Sequence, residues 1–194
     1  MKTLLFSILL LSTLCVPVMA QGQIPPELNP AEQALMQSAF AGNLDAIQAL
    51  VAGGLSVDTR DSEKHTPLMW AAFNGHTPVV RCLLDQGAKL DARDESGRTA
   101  LLYASSGPFA ETVELLLKKG AEVNVQGTLE GFTALMTAAA EGQEKVVRLL
   151  LSHGADPSLK DKDGDTAESF ATQKGHPVVA ELLKNPPPPV QKQN

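Results

Sequence analysis

The sequence is poor in aromatic and in basic residues. Aromatic residues make up 4% of its 194 residues, so a core has to be built from aliphatic side chains. Lysine and arginine total 16 against 22 aspartates and glutamates, and the net charge of −6 argues against a nucleic acid or an anionic membrane as partner. Hydrophobic residues still account for 43% of the chain, which is enough for a core and excludes global disorder.

The sequence also lacks the short motifs that mark common catalytic and metal sites. It contains neither HExxH nor paired cysteines for zinc, and neither GxSxG nor the phosphate loop GxxxxGK. Residues 161–165 faintly resemble a calcium loop, but the closing glutamate is missing and a solvated turn is favoured. His76, His153 and His176 stand at turns and are expected to be structural, whereas His65 is expected to be exposed. We therefore predict a protein that is not an enzyme and that holds no cofactor or metal ion.

The first twenty residues predict a secretory signal peptide. Lys2 is followed by the apolar run Leu4 to Val16 and by Val18-Met19-Ala20, a small-residue cleavage site that would leave Gln21 at the new N-terminus. The run is too short to cross a bilayer comfortably, so an uncleaved membrane anchor is the less favoured alternative. Cleavage leaves 15 basic residues against 22 acidic ones, a net charge of −7.

Cleavage would also remove one of the two cysteines. The remaining thiol, Cys82, has no partner for an internal disulfide, so packing has to supply the stability of the exported chain. Cys82 aligns with leucines of an apolar helical pattern, and we expect it to be a buried small hydrophobe.

An internal repeat of about 33 residues is the main signal in the sequence. Four threonines recur at spacings of 33, 34 and 33 residues: Thr66, Thr99, Thr133 and Thr166. Two sets of glycines keep the same period: Gly42, Gly75, Gly142 and Gly175 in one, and Gly54, Gly87, Gly120 and Gly154 in the other. Agreement of three independent registers excludes chance.

Each repeat contains two short helical patterns. The first opens at the repeat threonine, as in residues 66–72 (TPLMWAA), where threonine can cap the helix and proline suits its first turn. The second is apolar on one face, as in residues 79–84 (VVRCLL) and 146–151 (VVRLLL), and the glycine that follows ends it. Paired alanines in the first pattern allow neighbouring repeats to approach closely.

These motifs resemble the ankyrin repeat over about residues 29–185. The segments that carry the resemblance are Thr66-Pro67-Leu68, Gly75-His76, Val79-Val80, Leu83-Leu84 and Gly87-Ala88. The resemblance implies an all-α solenoid of about five helix-turn-helix units joined by short finger loops. The predicted units are 29–61, 62–94, 95–127, 128–161 and 162–185, with a linker at 21–28 and a proline-rich tail at 186–194.

Further expectations come from the two ends of the predicted solenoid and from two departures from the repeat pattern. Residues 29–32 (NPAE) predict a capping box at the first helix, and polar residues in 162–185 suit a C-terminal cap. Pro108 stands where the register predicts a glycine, so the turn of the third unit has to be rebuilt. The finger that includes residues 126–130 is one residue longer than the others; a tolerated insertion is favoured over a contact site.

In ankyrin repeats the fingers and the exposed side of the first helices line a concave binding face. The register maps eight candidate partner-binding residues to this face: Phe40, His65, Trp70, Phe73, Asn74, Arg98, Tyr103 and Phe132. Aromatic residues beside an arginine are typical of interface hot spots, although packing between units is the alternative for Trp70 and Tyr103. Phe73 and Phe132 are expected to be exposed, so that replacing both by glutamate would leave the fold intact.

The resemblance implies a monomeric, non-enzymatic module that binds a folded protein. The simple signal peptide suggests the periplasm and hence an envelope enzyme as partner, which the module would protect, assemble or inhibit. The overall acidity favours a basic partner. A secreted effector that binds host proteins is the alternative, and no membrane insertion is expected after the signal is removed.

Overall fold

The computed structural model describes residues 28–186, so the predicted signal peptide and nearly all of the linker and tail lie outside the described residues. The described chain forms ten α-helices and no strand. The helices are α1 (Pro30–Ala41), α2 (Leu44–Ala52), α3 (Pro67–Phe73), α4 (Thr77–Asp85), α5 (Ala100–Ala104), α6 (Ala110–Lys118), α7 (Ala134–Ala140), α8 (Glu144–Ser152), α9 (Ala167–Lys174) and α10 (Pro177–Lys184). The predicted all-α repeat solenoid is confirmed.

The helices form two parallel rows because each one packs on its counterpart in the next unit. The first row runs α1, α3, α5, α7, α9, and the second row runs α2, α4, α6, α8, α10, with each pair also in contact. Fully buried alanines let the first-row helices approach closely, among them Ala71, Ala72, Ala138 and Ala139. The hydrophobic core is therefore one continuous layer between the rows.

Side-chain caps fix where the first-row helices begin. Asn29 and Glu32 form the expected capping box: Asn29 Oδ1 accepts from the amide of Glu32 at 3.0 Å, and Glu32 Oε2 accepts from the amide of Asn29 at 2.9 Å. Thr66 and Thr133 accept hydrogen bonds from the amides three residues later. Thr99 makes no such side-chain bond at the start of the five-residue α5.

The connections from each second-row helix to the next first-row helix form finger loops, which we call F1 (61–65), F2 (94–98), F3 (127–132) and F4 (161–165). Within each finger the first residue donates its amide to the carbonyl of the last, at 2.9–3.2 Å. Adjacent fingers are joined by one backbone hydrogen bond: from Glu95 to Glu63, from Thr128 to Ser96 and from Lys162 to Glu130. The fingers therefore form a bonded series along the first row.

Glycines at the turns between paired helices accept a ring from the following unit. Gly42 and Gly142 have positive φ, and the rings of His76 and His176 lie where a methyl group would project. Each histidine donates Nε2–H to a carbonyl of the preceding unit, that of Phe40 at 2.9 Å and that of Ala140 at 3.1 Å. The structural role expected for these histidines is confirmed, and it joins two units.

The third unit replaces this histidine by Phe109. The Phe109 ring packs against both Gly75 of the preceding unit and Gly107 of its own turn. Gly75 keeps a left-handed φ of 67°, whereas Gly107 does not have a positive φ. The turn that contains Pro108 is therefore rebuilt around a phenyl ring, as the altered sequence predicts.

Replacing Gly75 by alanine tests this ring-on-glycine contact. The methyl group would meet the Phe109 ring in addition to the cost of a left-handed residue, whereas at Gly87, with φ of 87°, nothing lies within 4 Å. We expect G75A to lower the free energy of unfolding by about 1–3 kcal/mol more than G87A, because only G75A overpacks the interface. Chemical denaturation of both variants measures the difference; equal losses would show that the ring yields freely.

Candidate protein-binding surface

Five of the eight candidate residues form one aromatic cluster on the first-row side of units one to three. The indole of Trp70 lies 4.5 Å from the ring of His65, 5.9 Å from Phe40, 6.2 Å from Phe73 and 6.3 Å from Tyr103, measured between ring centroids. The Phe40 and Phe73 rings meet the indole edge-on, which is a favourable arrangement for aromatic pairs. The sequence register thus brings together residues from three successive units.

The interior of this cluster and its edge differ in exposure. Trp70 and Tyr103 are buried, as expected if they mainly pack between units. Phe40 and Phe73 are half-buried. The indole Nε1–H of Trp70 finds no acceptor within residues 28–186, a cost that the surrounding rings have to offset. The solvent-accessible part of the cluster is therefore Phe40 and Phe73, supported from behind by Trp70 and Tyr103.

A buried polar network adjoins the aromatic cluster. Nδ1 of His65 lies 2.9 Å from Oδ2 and 3.1 Å from Oδ1 of Asp61, and its Nε2 lies 3.7 Å from Oδ2 of Asp94. That same oxygen of Asp94 accepts from the Tyr103 hydroxyl at 2.6 Å and from Nε of Arg98 at 2.7 Å. The network thus connects F1, F2 and α5.

Charge explains why these residue types occur together. Asp61 and Asp94 are both buried, and an ionised carboxylate is costly to bury without a cation or several donors nearby. Arg98 neutralises Asp94, and its guanidinium also lies 5.0 Å from the centre of the Tyr103 ring. The imidazole of His65 contacts the Asp61 carboxylate directly, with Nδ1 within hydrogen-bond distance of both its oxygens.

The expectation that His65 is exposed is wrong. Its relative exposure is 2%, because the ring is enclosed by Asp61, Trp70 and Tyr103. Asp61 and Asp94 were not among the candidates, although each stands four residues before His65 or Arg98 and 33 residues from the other. This spacing could have revealed the pairing, because the carboxylate also accepts the backbone amide four residues later in each finger.

The expected exposure of Phe132 is also wrong. Phe132 is 9% exposed, and its ring lies edge-on against Phe170 at 5.3 Å, in the following unit. It belongs to the core between α7 and α9, apart from the Trp70 cluster. A glutamate at position 132 would be buried there without a cation, so the double replacement with Phe73 would destabilise the fold.

Asn74 has a structural role that the sequence does not suggest. The Asn74 side-chain amide donates to the carbonyl of Phe40 at 2.8 Å and so ties the second unit to the first.

Cys82 is less buried than the sequence suggests. It is half-buried against the core, and burial raises the pKa of its thiol, with a further contribution from Asp85. A raised pKa disfavours the reactive thiolate.

The finger tips present polar residues and one large apolar side chain. Leu129, at the tip of F3, is 58% exposed. In F3 Gly127 takes the position of the finger aspartates, and the Gln126 amide bonds to the carbonyls of Gly131 and Lys160 at 2.8 Å each. The longer finger is therefore held firmly while its tip projects an apolar group.

The acidic segment of F4 is a turn stabilised by its own backbone. Oδ1 of Asp161 accepts the amides of Asp163 and Asp165 at 3.0 and 2.8 Å. Burial raises the pKa of Asp161, in spite of these two backbone bonds. Within residues 28–186 no group of three or more histidine, cysteine, aspartate or glutamate residues could hold a metal ion.

Comparison with known proteins agrees with this architecture. The family model described as "Ankyrin repeats (3 copies)" matches residues 35–127 and 111–193, most of the chain. The chain belongs to the ankyrin-repeat family. Ankyrin repeats generally act as protein–protein interaction modules, and the family is typically non-enzymatic. The resemblance to ankyrin repeats implies that the side lined by the fingers and the first-row helices is the binding side.

Individual relatives match only short stretches. Ankyrin repeat family A protein 2 of Mus musculus is 55% identical over 47 residues, which is 24% of this chain and 15% of the relative. Espin-like protein of Homo sapiens is 43% identical over 60 residues, 31% of this chain and 6% of the relative. A putative ankyrin repeat-containing protein of Treponema pallidum is 38% identical over 60 residues, 31% of this chain and 20% of the relative. The chain thus spans a fifth or less of the length of these curated relatives.

A double-mutant cycle tests the pairing of His65 with Asp61. H65L should lower the free energy of unfolding by about 3 kcal/mol, because it leaves the Asp61 carboxylate buried without its partner. D61N in the same chain should recover at least part of this loss, since an amide oxygen still accepts the amides of Glu63 and His65 that Asp61 Oδ1 accepts. Denaturant unfolding of the two single variants and the double variant gives the coupling; strictly additive losses would contradict a direct interaction between the two side chains.

Proposed function

We propose that this chain is an exported ankyrin-repeat module that binds a folded protein of the cell envelope, most simply an enzyme of the periplasm. Binding occurs through the side formed by F1 to F4 and the first-row helices, which we call the finger side. The module protects, assembles or inhibits its partner and performs no chemistry itself. The observation that carries the proposal is the Phe40–Phe73 edge: half-buried aromatic rings on rigid support, on the side that the resemblance to ankyrin repeats implies for recognition.

The support behind these rings favours a binding role. Trp70 is held by four rings and Tyr103 is anchored through Asp94, so the exposed edge does not need to be ordered when a partner binds. A preorganised surface of this kind retains more of its contact energy as affinity. Leu129 adds an exposed apolar contact on the same side.

Residues 1–20 support the proposed location in the periplasm. They combine a basic start, an apolar run and a small-residue cleavage site. In the described part of the chain no helix is long and apolar enough to cross a membrane. The folded repeats also need no disulfide, since Cys82 is their only cysteine.

Export can be measured by fractionating a Gram-negative host that expresses the full chain with a C-terminal tag. We expect a periplasmic protein whose mass begins at Gln21. A matched variant with arginine at Leu9 and Leu10 should stay in the cytoplasm with Met1 intact, because charge in the apolar run blocks a signal peptide. Intact Met1 in the membrane fraction would contradict the proposal in favour of an anchor, and mature protein in the medium would favour the effector alternative.

The binding side can be mapped with a photo-crosslinking amino acid placed in the full chain in its native cells. Leu129 and Val178 are a matched pair, because they are 58% and 59% exposed and lie on F3 and on second-row helix α10 respectively. We expect one dominant protein adduct from position 129 and none from position 178. Mass spectrometry of the adducts identifies the partner.

The other outcomes of this mapping are equally decisive. An adduct from position 178 alone would move the interface to the second row and contradict the proposed side. No adduct from either position, with the protein folded and exported, would contradict binding to an envelope protein. A captured partner without enzymatic activity would retain the binding role and remove the enzyme from the proposal.

A further inference from the structure

The net charge of the described residues lies entirely on the finger side. This side comprises residues 29–41, 61–75, 94–106, 127–141 and 161–175, that is, the first-row helices with their fingers. It carries eleven acidic residues: Glu32, Asp61, Glu63, Asp94, Glu95, Glu130, Glu141, Asp161, Asp163, Asp165 and Glu168. It carries four lysines and arginines: Lys64, Arg98, Lys162 and Lys174.

The second-row side, residues 42–60, 76–93, 107–126, 142–160 and 176–185, is electrically balanced. Its ten acidic residues are Asp45, Asp58, Asp85, Asp91, Glu111, Glu114, Glu122, Glu144, Asp156 and Glu181. Its ten basic residues are Arg60, Arg81, Lys89, Arg93, Lys118, Lys119, Lys145, Arg148, Lys160 and Lys184. The net charge of the whole sequence therefore does not reveal that one side of the solenoid is neutral and the other is acidic.

Two of the four cations on the finger side are already paired with its own carboxylates. Arg98 bonds to the buried Asp94 at 2.7 Å, and Lys64 lies 3.6 Å from Glu95. Lys162 donates to the carbonyl of Thr128 at 2.7 Å. Glu168 lies 3.9 Å from Lys184 of the second row, whereas within residues 28–186 no ion pair is formed by Glu130, Glu141 or Asp163, three exposed acidic groups of units four and five.

Charge and apolar surface are separated along the solenoid. The half-buried rings of Phe40 and Phe73 lie in units one and two. In units four and five, six acidic residues face two lysines: Glu130, Glu141, Asp161, Asp163, Asp165 and Glu168 against Lys162 and Lys174. Leu129, the exposed apolar tip of F3, stands where the acidic part begins.

This distribution of charge and apolar surface favours some classes of binding partner on the finger side over others. A second copy of the chain would bring two acidic surfaces together, and a nucleic acid would be repelled. The described acidic groups do not form a metal site. A protein with a basic surface is attracted, and an apolar part of the same protein can cover the accessible edges of the half-buried Phe40 and Phe73 rings.

We infer that the partner is a basic protein, bound with a lysine- and arginine-rich surface over units four and five and an apolar contact over Phe40 and Phe73. This inference rests on the proposed protein-binding function and adds the chemistry and orientation of the partner. Complementary charge accelerates the encounter and rejects acidic proteins, while the apolar edge and Leu129 provide contacts that do not depend on salt.

Paired charge reversals in the full chain test the inference, with the photo-crosslinking residue at position 129 as the probe. E141K and D163K reverse two exposed acidic groups of units four and five. D45K and E111K reverse two exposed acidic groups of the second row and change the net charge equally. The first pair suits the fold, because lysine is favourable after the end of α7 and near Asp161, whereas the control pair replaces acids in helix first turns.

We expect the finger-side pair to lower the yield of the wild-type adduct at least tenfold, and the second-row pair to change it less than twofold. The partner peptide joined to position 129 should contain an excess of lysine and arginine over acidic residues. Retention of the adduct by the finger-side pair, an equal loss in both pairs, or an acidic partner peptide would overturn the inference while protein binding stands. Absence of any adduct from the wild-type chain would instead overturn the proposed function.

Discussion

The packing of each short first-row helix on the next is the interaction on which the rest of the structure depends. These helices contain as few as five residues, too few to be stable alone in water. They persist because alanine pairs such as Ala138-Ala139 are completely buried against neighbouring units. Once this row is stacked, the second row, the fingers and the turns have fixed positions along it.

The fingers convert this stacking into a defined surface. Each finger is closed by its own backbone bond, and each is bonded to the next, so the tips cannot move independently without breaking hydrogen bonds. Beneath F1 and F2, the contacts of His65 with Asp61 and of Arg98 with Asp94 fill the space between fingers and helices with paired polar groups. The aromatic edge rests on this rigid base, which is the condition for recognition without prior rearrangement.

Much of the fold follows from periodicity and capping chemistry alone. The threonine and glycine registers predict paired helices, and the Asn29–Glu32 capping box and the histidine contacts across turns are observed. Such features are predictable because a repeat gives every unit the same local geometry. Even the exception at Phe109 lies at the position where the pattern breaks.

Burial on the finger side was less predictable, because it depends on what the neighbouring unit contributes. The register places His65, Arg98 and Phe132 at equivalent positions before the repeat threonines, yet His65 is enclosed by Asp61 and Trp70, and Phe132 is enclosed by Phe170. The repeat period predicts on which side of the solenoid a side chain lies, but it does not predict how deeply that side chain is buried. Charge asymmetry was likewise hidden in the composition, because it appears only when residues are sorted by row.

Hydrogen exchange of the full chain, alone and with the partner identified by crosslinking, tests the assignment of the finger side as the recognition surface. We predict slower amide exchange in fingers F1 to F4 and in α3, with unchanged exchange in the second-row helices. Slower exchange confined to the second-row helices, with the fingers unchanged, would contradict it.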